Sequence, residues 1–165
     1  MTTLACDRRT VAADSRGLRN GALIPANYTK IKLVGGYLFG ITGGIMYFDQ
    51  LINWWMSGRD PDAYPKMGKD SSFLFIVFFA DCSWAYDETE PHHAEHPYPV
   101  AYGSGTPYAL GALYASACSA SAVRVASELD PNTGGPITEL VVPSVRSTAA
   151  HPTKKPTRAK RRRRR

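Results

Sequence analysis

The pattern of apolar and polar residues predicts seven β-strands. A short hairpin turns at Asp7-Arg8-Arg9, and a second, half-buried hairpin with alternating polarity turns at Gly35-Gly36. A third hairpin follows, whose first strand is apolar on both faces. The predicted strands are 2–6, 10–13, Tyr28–Val34, Tyr37–Thr42, Ser72–Asp81, Ser83–Thr89 and Pro136–Val142.

The sequence predicts three helices, the first of them from the helical spacing of its apolar residues. The first opens at Gly43-Gly44 and ends at Ser57-Gly58. The second, Tyr108–Ala117, follows Thr106 as N-cap, and its small residues permit close approach to a neighbouring layer. The third covers Ser121–Leu129. Segments 15–28, 59–71 and Glu90–Pro99 are predicted loops.

The order of these elements favours an α+β layered sandwich over alternating βαβ units, because helices lie between groups of antiparallel strands. A chain of 165 residues suits one domain, and 44% apolar with 21% charged residues is typical of a globular protein. We expect this domain to span residues 1–143. Residues 144–165 are rich in Ser, Thr, Pro and basic residues, which predicts a disordered tail.

The net charge of +6 is unevenly distributed. Residues 154–165 contain nine of the twenty Lys and Arg residues, which leaves eleven basic and fourteen acidic residues elsewhere. Such a tail binds polyanions in a salt-dependent way, and no aromatic residue is present to stack on bases. Three interpretations of Lys154–Arg165 stay open: a non-specific nucleic-acid tether, a docking arm for an acidic partner, or a solubilising end.

Cysteine usage and hydropathy indicate the compartment. Cys6, Cys82 and Cys118 are odd in number and form no CxxC pair, so neither a disulfide framework nor a zinc site is expected. The longest apolar run, Phe73–Ala80, is too short to cross a bilayer, and the first residues lack the features of a signal peptide. We therefore expect a cytoplasmic protein that does not act at a membrane.

A histidine-rich segment could supply metal ligands. His92, His93 and His96 lie close to Glu95, and imidazoles and carboxylates are common zinc ligands. However, prolines interrupt the segment, so a solvated loop is the favoured interpretation. We expect neither a metal nor another cofactor.

The strongest candidate for chemistry is Thr2. It is small enough for Met1 to be removed, which would leave a threonine with a free α-amine. A hydroxyl is a weak nucleophile until a base lies beside it, and an N-terminal threonine carries its own base. A threonine at this position alone carries no information, since it is common.

Five motifs occur in an order that resembles a known family. They are TTLA at 2–5, AADSR at 12–16, Lys30 before a strand–turn–strand ending in GITGG at 40–44, GSGTPYALGAL at 103–113 and DPNTGGPI at 130–137. The chain resembles the proteasome β-type subunits and the bacterial HslV-type peptidases, which are N-terminal-nucleophile hydrolases. The resemblance implies a four-layer αββα sandwich.

The resemblance also implies roles for individual residues. Thr2 would be the nucleophile and its α-amine the proton acceptor. Lys30 would be the electrostatic activator, oriented by Asp14, and the backbone N–H of Gly44 would form the oxyanion hole. Individually, Asp14 could simply cap a turn and Lys30 could be a solvated strand lysine.

Two further groups follow from the same resemblance. Ser104, Asp130 and Thr133 match a supporting polar cluster, with Thr133 where a serine is more usual. Thr42, Met46 and Gln50 match the pocket for a substrate side chain. Taken alone, the first three could be ordinary capping or turn residues.

The implied function is a threonine peptidase that cleaves proteins or peptides through an acyl-enzyme on Thr2. Such proteins form rings and act with a separate ATPase. Here the first hairpin is about four residues shorter than usual, a second helix after Gly44 is missing, and the helical region before Asp130 is about three turns short. The ring is therefore less firmly implied than the chemistry. The alternatives are an amidase acting on a small amide and an inactive structural or nucleic-acid-tethered subunit.

Overall fold

The computed structural model describes residues 2–19, 21–66, 68, 72–89 and 91–150, with only the backbone described for Arg19, Ala149 and Ala150. The strands in this part are β1 (Thr3–Cys6), β2 (Thr10–Ala13), β3 (Arg16–Arg19), β4 (Ala22–Asn27), β5 (Ile31–Val34), β6 (Tyr37–Gly43), β7 (Phe73–Phe78), β8 (Cys82–Asp87), β9 (His93–Pro97), β10 (Val100–Gly103) and β11 (Thr138–Val141). The helices are α1 (Phe48–Met56), α2 (Thr106–Tyr114), α3 (Ser119–Leu129) and α4 (Ser147–Ala150), with 3₁₀ turns at Ile45–Tyr47 and Pro61–Ala63.

Two antiparallel sheets form the centre of the molecule. The first sheet has the order β10-β1-β2-β11 and the second sheet the order β5-β6-β7-β8-β9. Helices α2 and α3 cover the outer face of the first sheet, and α1 covers the outer face of the second. The predicted four-layer αββα sandwich is therefore confirmed.

Three apolar layers hold these elements together. The middle core lies between the two sheets and includes Leu4, Val11 and Phe78. The alanine core lies between the first sheet and its helices, and its buried residues are Ala5, Ala12, Ala109, Leu113, Ala122, Val123 and Ala126. The aromatic core lies between the second sheet and α1, and its buried rings are Phe39, Phe48, Trp54, Trp55, Phe73, Phe75, Phe79, Trp84 and Tyr86.

Two segments predicted as loops are strands. The strands β3 and β4 pair with each other in a separate two-stranded hairpin inside segment 15–28. Strand β9, inside the histidine-rich segment, pairs with β8 at the edge of the second sheet. Both are largely exposed and therefore lack the apolar alternation on which strand prediction depends.

Segment 144–148, expected in the disordered tail, packs on the domain. Val145 contacts the aromatic core, and its carbonyl accepts a hydrogen bond of 2.8 Å from the N–H of Ala80. The backbone and hydroxyl of Ser147 both donate to the Asp81 carboxylate. These contacts extend the ordered domain past residue 143; the rest of the predicted tail, 151–165, lies outside the described residues.

No helix among the described residues is both long and apolar enough to cross a membrane.

Candidate active site

The carboxylate of Asp14 connects four parts of the chain at the end of β2. Its Oδ1 accepts hydrogen bonds of 2.8 Å from both the N–H of Thr3 and the ammonium of Lys30. Its Oδ2 accepts from the N–H groups of Arg16 at 3.2 Å and Gly134 at 3.1 Å. Since Asp14 is buried and fully engaged, its position is fixed by the fold.

Lys30 is a buried cation held by two oxygens. It is 3% exposed, and its Nζ donates to Asp14 and to the carbonyl of Arg16, each at 2.8 Å. Burial lowers the pKa of Lys30 below its usual range, while the charge of Asp14 opposes this effect. The strand-lysine alternative is therefore wrong, because solvated lysines are not buried against a carboxylate.

Thr2 lies beside this lysine. A cleft of about 90 Å³ is lined by both residues. The carbonyl of Thr2 accepts a hydrogen bond of 2.9 Å from the N–H of Ser104. Gly103 makes this approach feasible, because its φ of +98° favours glycine and a Cβ at this position would overlap the Thr2 carbonyl.

A second buried network begins at the next residue, Thr3. The hydroxyl of Thr133 donates to Oδ2 of Asp130 at 2.6 Å, so it must accept the 2.6 Å hydrogen bond that it shares with the hydroxyl of Thr3. The N–H of Gly105 in turn donates to the Thr3 hydroxyl at 3.1 Å. The chain of donors thus runs from Gly105 through both threonines to the carboxylate.

The carboxylate of Asp130 stays ionised in this environment. Burial alone would raise its pKa, but hydrogen bonds from Thr133, Ser104 and Asn132 outweigh this effect and lower it. The Oγ of Ser104 is buried close to this carboxylate and contributes to the lowering.

The backbone at Gly44 differs from the expectation. Its N–H donates to the carbonyl of Ser72 at 3.1 Å, so it does not point freely into the cleft. The α-helix begins only at Phe48, after a 3₁₀ turn, and Gly44 is the residue before that turn. In this conformation Gly44 does not form an oxyanion hole.

The structure also differs from the expectation for the pocket that would bind a substrate side chain. Thr42 is buried within β6, Met46 is 79% exposed and Gln50 is exposed on α1, and none of the three lines the cleft beside Thr2. Besides Thr2 and Lys30, the cleft is lined by Arg16, Gly17, Leu18, Ile24, Tyr28, Gly43 and Ile45.

Several residues that line the cleft belong to the β3–β4 hairpin, and Tyr28 directly follows this hairpin. The ring of Tyr28 packs on Gly17, where any side chain would overlap it. The side of the cleft that this hairpin and Tyr28 form was not predicted from the sequence. The sequence did offer one signal, because the segment that forms the hairpin connects Asp14 to Lys30.

The histidine-rich segment contains strand β9. His93 stacks on Trp84 with ring centroids 3.9 Å apart. Among the residues that the structure describes, no three His, Cys, Asp or Glu side chains come close enough together to hold a metal ion. Packing within the sheet therefore explains the position of His93.

The fold is found in known structures. Neither a family model nor a curated protein matches the sequence. A structure of BPH from Thiobacillus denitrificans is similar to the chain with a TM-score of 0.65 and 23% identity, covering 87% of this chain and 98% of that one. A eukaryotic HslV from Trypanosoma brucei has a TM-score of 0.66 and 16% identity, covering 87% and 99%. The chain has the HslV fold.

A complex of one of these proteins with epoxomicin is also similar to the chain. BPH from Thiobacillus denitrificans in complex with epoxomicin is similar with a TM-score of 0.62 and 22% identity, covering 87% of this chain and 98% of that one. These matches extend over almost the whole of each neighbour.

Proposed function

We propose that this protein is a threonine peptidase, whose nucleophile is the hydroxyl of Thr2 after removal of Met1. One observation carries the proposal: Thr2 and the buried ammonium of Lys30 line the same cleft, and Asp14 fixes that ammonium. A cation at this position stabilises negative charge that develops on the attacking oxygen. The HslV fold and the epoxomicin complex of a similar structure support the proposal.

The reaction begins with proton transfer within one residue. The free α-amine of Thr2 accepts the proton of the Thr2 hydroxyl as the oxygen attacks the carbonyl carbon of the scissile peptide bond. The C–N bond then breaks, and the proton passes to the departing amine. Water attacks the resulting ester, which releases the acid product and restores the hydroxyl.

The neighbouring polar groups would hold the α-amine in position. Ser104 is one candidate, because its N–H donates to the Thr2 carbonyl and its Oγ lies beside the Asp130 carboxylate. Asp130 and Thr133 act one step further away, because their network holds Thr3 directly next to the nucleophile. Both residues are positioning residues in this proposal.

An oxyanion donor is still required. We assign it to the N–H of Gly44, which must first exchange its hydrogen bond with Ser72 for one with the substrate oxygen. Gly43 provides the backbone freedom for this exchange, since its φ is +78°. The substrate pocket is assigned to the cleft walled by Tyr28, in place of Thr42, Met46 and Gln50.

Protein substrates, a homo-oligomeric ring and an ATPase that unfolds substrates complete the proposal. They are extensions from HslV-type proteins. The ring is proposed because the fold is retained over almost all of the similar chains.

Two measurements test the nucleophile. Intact mass of the purified protein should show loss of Met1, and epoxomicin should add covalently to Thr2. Thr2→Ala should abolish labelling and lower peptide cleavage by on the order of 10³-fold or more, whereas Thr2→Ser should retain part of both, since it keeps a hydroxyl and an α-amine. Lys30→Met should also abolish cleavage in a folded protein.

Other outcomes would redirect the proposal. Retention of Met1 would block the α-amine and identify an inactive subunit. Undiminished cleavage by Thr2→Ala would exclude Thr2 as nucleophile. Labelling of Thr2 combined with hydrolysis of small amides and not of peptides would identify an amidase.

A further inference from the structure

Thr3, the residue after the proposed nucleophile, has each of its polar groups engaged. It is 0% exposed. Its N–H donates to Oδ1 of Asp14 at 2.8 Å, and its carbonyl accepts a hydrogen bond of 3.2 Å from the N–H of Asp14. Its hydroxyl accepts from the N–H of Gly105 at 3.1 Å and donates to the hydroxyl of Thr133. These hydrogen bonds fix both the backbone and the side chain of Thr3.

The partners of Thr3 are joined to one another, so the hydrogen bonds form a closed loop. Thr133, which accepts from the Thr3 hydroxyl, precedes Gly134, and the N–H of Gly134 donates to Oδ2 of Asp14 at 3.1 Å. Thr3 closes the loop, because its N–H binds Asp14 and its hydroxyl binds Thr133. Lys30 is attached to this loop through Oδ1 of Asp14. A displacement of any one member therefore breaks a hydrogen bond of its neighbour.

The peptide group between Thr2 and Thr3 is held at both of its polar atoms. Its carbonyl, which belongs to Thr2, accepts a hydrogen bond of 2.9 Å from the N–H of Ser104. Its N–H, which belongs to Thr3, binds Asp14. Because a peptide group is planar, these two hydrogen bonds also fix the Cα of Thr2. After removal of Met1 this is the only peptide group that contains Thr2, so the direction of the Thr2 hydroxyl depends on it.

We propose that Thr3 is a positioning residue for the peptidase reaction, and this inference rests on the function proposed above. The Thr3 hydroxyl, bound between Gly105 and Thr133, holds the peptide group that follows Thr2. It thereby keeps the Thr2 oxygen in the cleft that Lys30 also lines. Small displacements of a reacting atom cost a large factor in rate, so the loss of this hydroxyl should slow the chemical step.

The side chain of Thr3 suits this role in shape as well as in chemistry. Its branched Cβ restricts rotation of the side chain. A Cβ at position 105 would overlap the Thr3 hydroxyl, so the N–H of Gly105 reaches this oxygen because the residue is a glycine. Valine has a similar shape to threonine but no hydroxyl. In Thr3→Val the Gly105 N–H would lose its acceptor, and the Thr133 hydroxyl would lose its donor.

The test compares the kinetics with which the parent, Thr3→Val and Thr3→Ser cleave a fluorogenic peptide. Thr3→Val should lower kcat by about 10- to 100-fold, because a buried donor loses its acceptor. It should change KM by less than about 3-fold, because the buried side chain does not contact the substrate. Thr3→Ser keeps the hydroxyl and should retain kcat within about 5-fold. Thr138→Val, at an exposed threonine of the same sheet, is the matched control and should leave both constants unchanged.

A double-mutant cycle tests whether the two hydroxyls act together. Thr133→Val removes the acceptor of the Thr3 proton while the Thr3 side chain stays in place, and it should also lower kcat. If Thr3 acts through Thr133, the double variant should lie within about 3-fold of the more impaired single variant, because residues that act as a unit are not additive. Losses in kcat that multiply in the double variant would show that the two hydroxyls act independently and would overturn the proposed loop.

The remaining outcomes separate this inference from the proposed function. Circular dichroism verifies that each variant is folded, and Thr133→Val carries the test if Thr3→Val does not fold. A parent-like kcat of Thr3→Val, equal losses in Thr3→Ser and Thr3→Val, or a raised KM with unchanged kcat would overturn the role of Thr3 alone. A parent protein that neither cleaves peptides nor reacts with epoxomicin would instead refute the proposed function, and the role of Thr3 with it.

Discussion

The two outer layers of the sandwich are built from opposite kinds of side chain. In the alanine core, α2 and α3 meet the first sheet through methyl groups, so helix and strand backbones approach closely. At Gly105 this approach is so close that a side chain would overlap the Thr3 hydroxyl. The candidate site depends on this closeness, because Gly105, Thr133 and Asp130 reach the start of β1 across it.

The aromatic core is formed by large rings instead. Phe39 and Phe75 stack with centroids 5.6 Å apart, and Trp55 meets Phe39 edge-on at 5.3 Å. Such rings bury large apolar areas and contribute strongly to stability. The comparison indicates a division of labour, in which the aromatic core supplies stability and the alanine core supplies the geometry of the site.

Truncation in the aromatic core should have the largest energetic effect. Phe75 is fully buried, so Phe75→Ala should lower the free energy of unfolding by about 3–5 kcal/mol, through lost burial and the resulting cavity. Denaturant titration measures this change. Leu33→Ala, at a position that is 57% exposed in the same sheet, should change it by less than about 0.5 kcal/mol. Equal effects of the two variants would contradict the role given to the aromatic core.

Overfilling the alanine core should have an intermediate effect on stability and a strong one on the site. Ala126→Leu adds three carbon atoms to a fully buried position and should cost about 1–3 kcal/mol. Because Ala126 packs next to Gly105, the change should also displace the Thr3–Thr133 network and abolish epoxomicin labelling in the folded fraction. Val125→Leu, at a partly exposed position of the same helix, is the matched control and should preserve labelling. Full labelling of Ala126→Leu would argue against the proposed division.

Protonation of Asp130 in acid should lower the free energy of unfolding, by less than the two core substitutions above. The pKa of Asp130 is lower in the folded than in the unfolded protein, so its ionised form contributes stability at pH values above about 3.8, the unfolded value. This contribution disappears as the pH falls through the lower, folded pKa. Unfolding free energies of the parent and of Asp130→Asn should therefore differ at neutral pH and converge in strong acid. A difference independent of pH would refute the linkage.

The reactivity of the cysteines also distinguishes the two outer layers of the sandwich. Of these predictions, it has the smallest expected effect on stability. Cys118, exposed before α3, has a pKa lowered by hydrogen bonding with Ser121, whereas burial in the aromatic core raises the pKa of Cys82. Burial likewise raises the pKa of Cys6, in the middle core, to about 12. Iodoacetamide near neutral pH should alkylate Cys118 alone, as measured by peptide mass spectrometry. Comparable labelling of Cys82 in the native protein would show that the aromatic core opens.

The sequence predicts those elements whose apolar pattern reflects burial. The hairpin around Asp7-Arg8-Arg9 and the apolar strand β7 are confirmed because their apolar residues face the core. The helices α2 and α3 are also confirmed, and small residues on them pack against the first sheet. Strands such as β3 and β9 carry no such pattern, because backbone pairing alone holds them in place. The packing of Val145 and Ser147 could not be predicted from the sequence either, because it depends on the surface that these two residues contact.

At the candidate site, residue identity was easier to predict than backbone conformation. Asp14 and Lys30 stood out as a carboxylate and an ammonium at a spacing known from a family, and the structure brings them together at 2.8 Å. The hydrogen bond between Gly44 and Ser72 could not be predicted, because a backbone N–H has no signature in the sequence. The wall formed by Tyr28 was missed for a related reason, since it depends on an unrecognised hairpin.

The hydrogen bonds of Asp14 have a consequence for the order in which the site forms. Asp14 binds Thr3, Arg16 and Lys30 from the first part of the chain, but also Gly134, which is 120 residues away. During synthesis the N-terminal residues leave the ribosome first, and contacts of long sequence separation form late. Thr2 is therefore made well before Gly134, and its surroundings are complete only after residue 134 has emerged. A nascent chain would carry Thr2 without an assembled site while the residues between Asp14 and Gly134 are made.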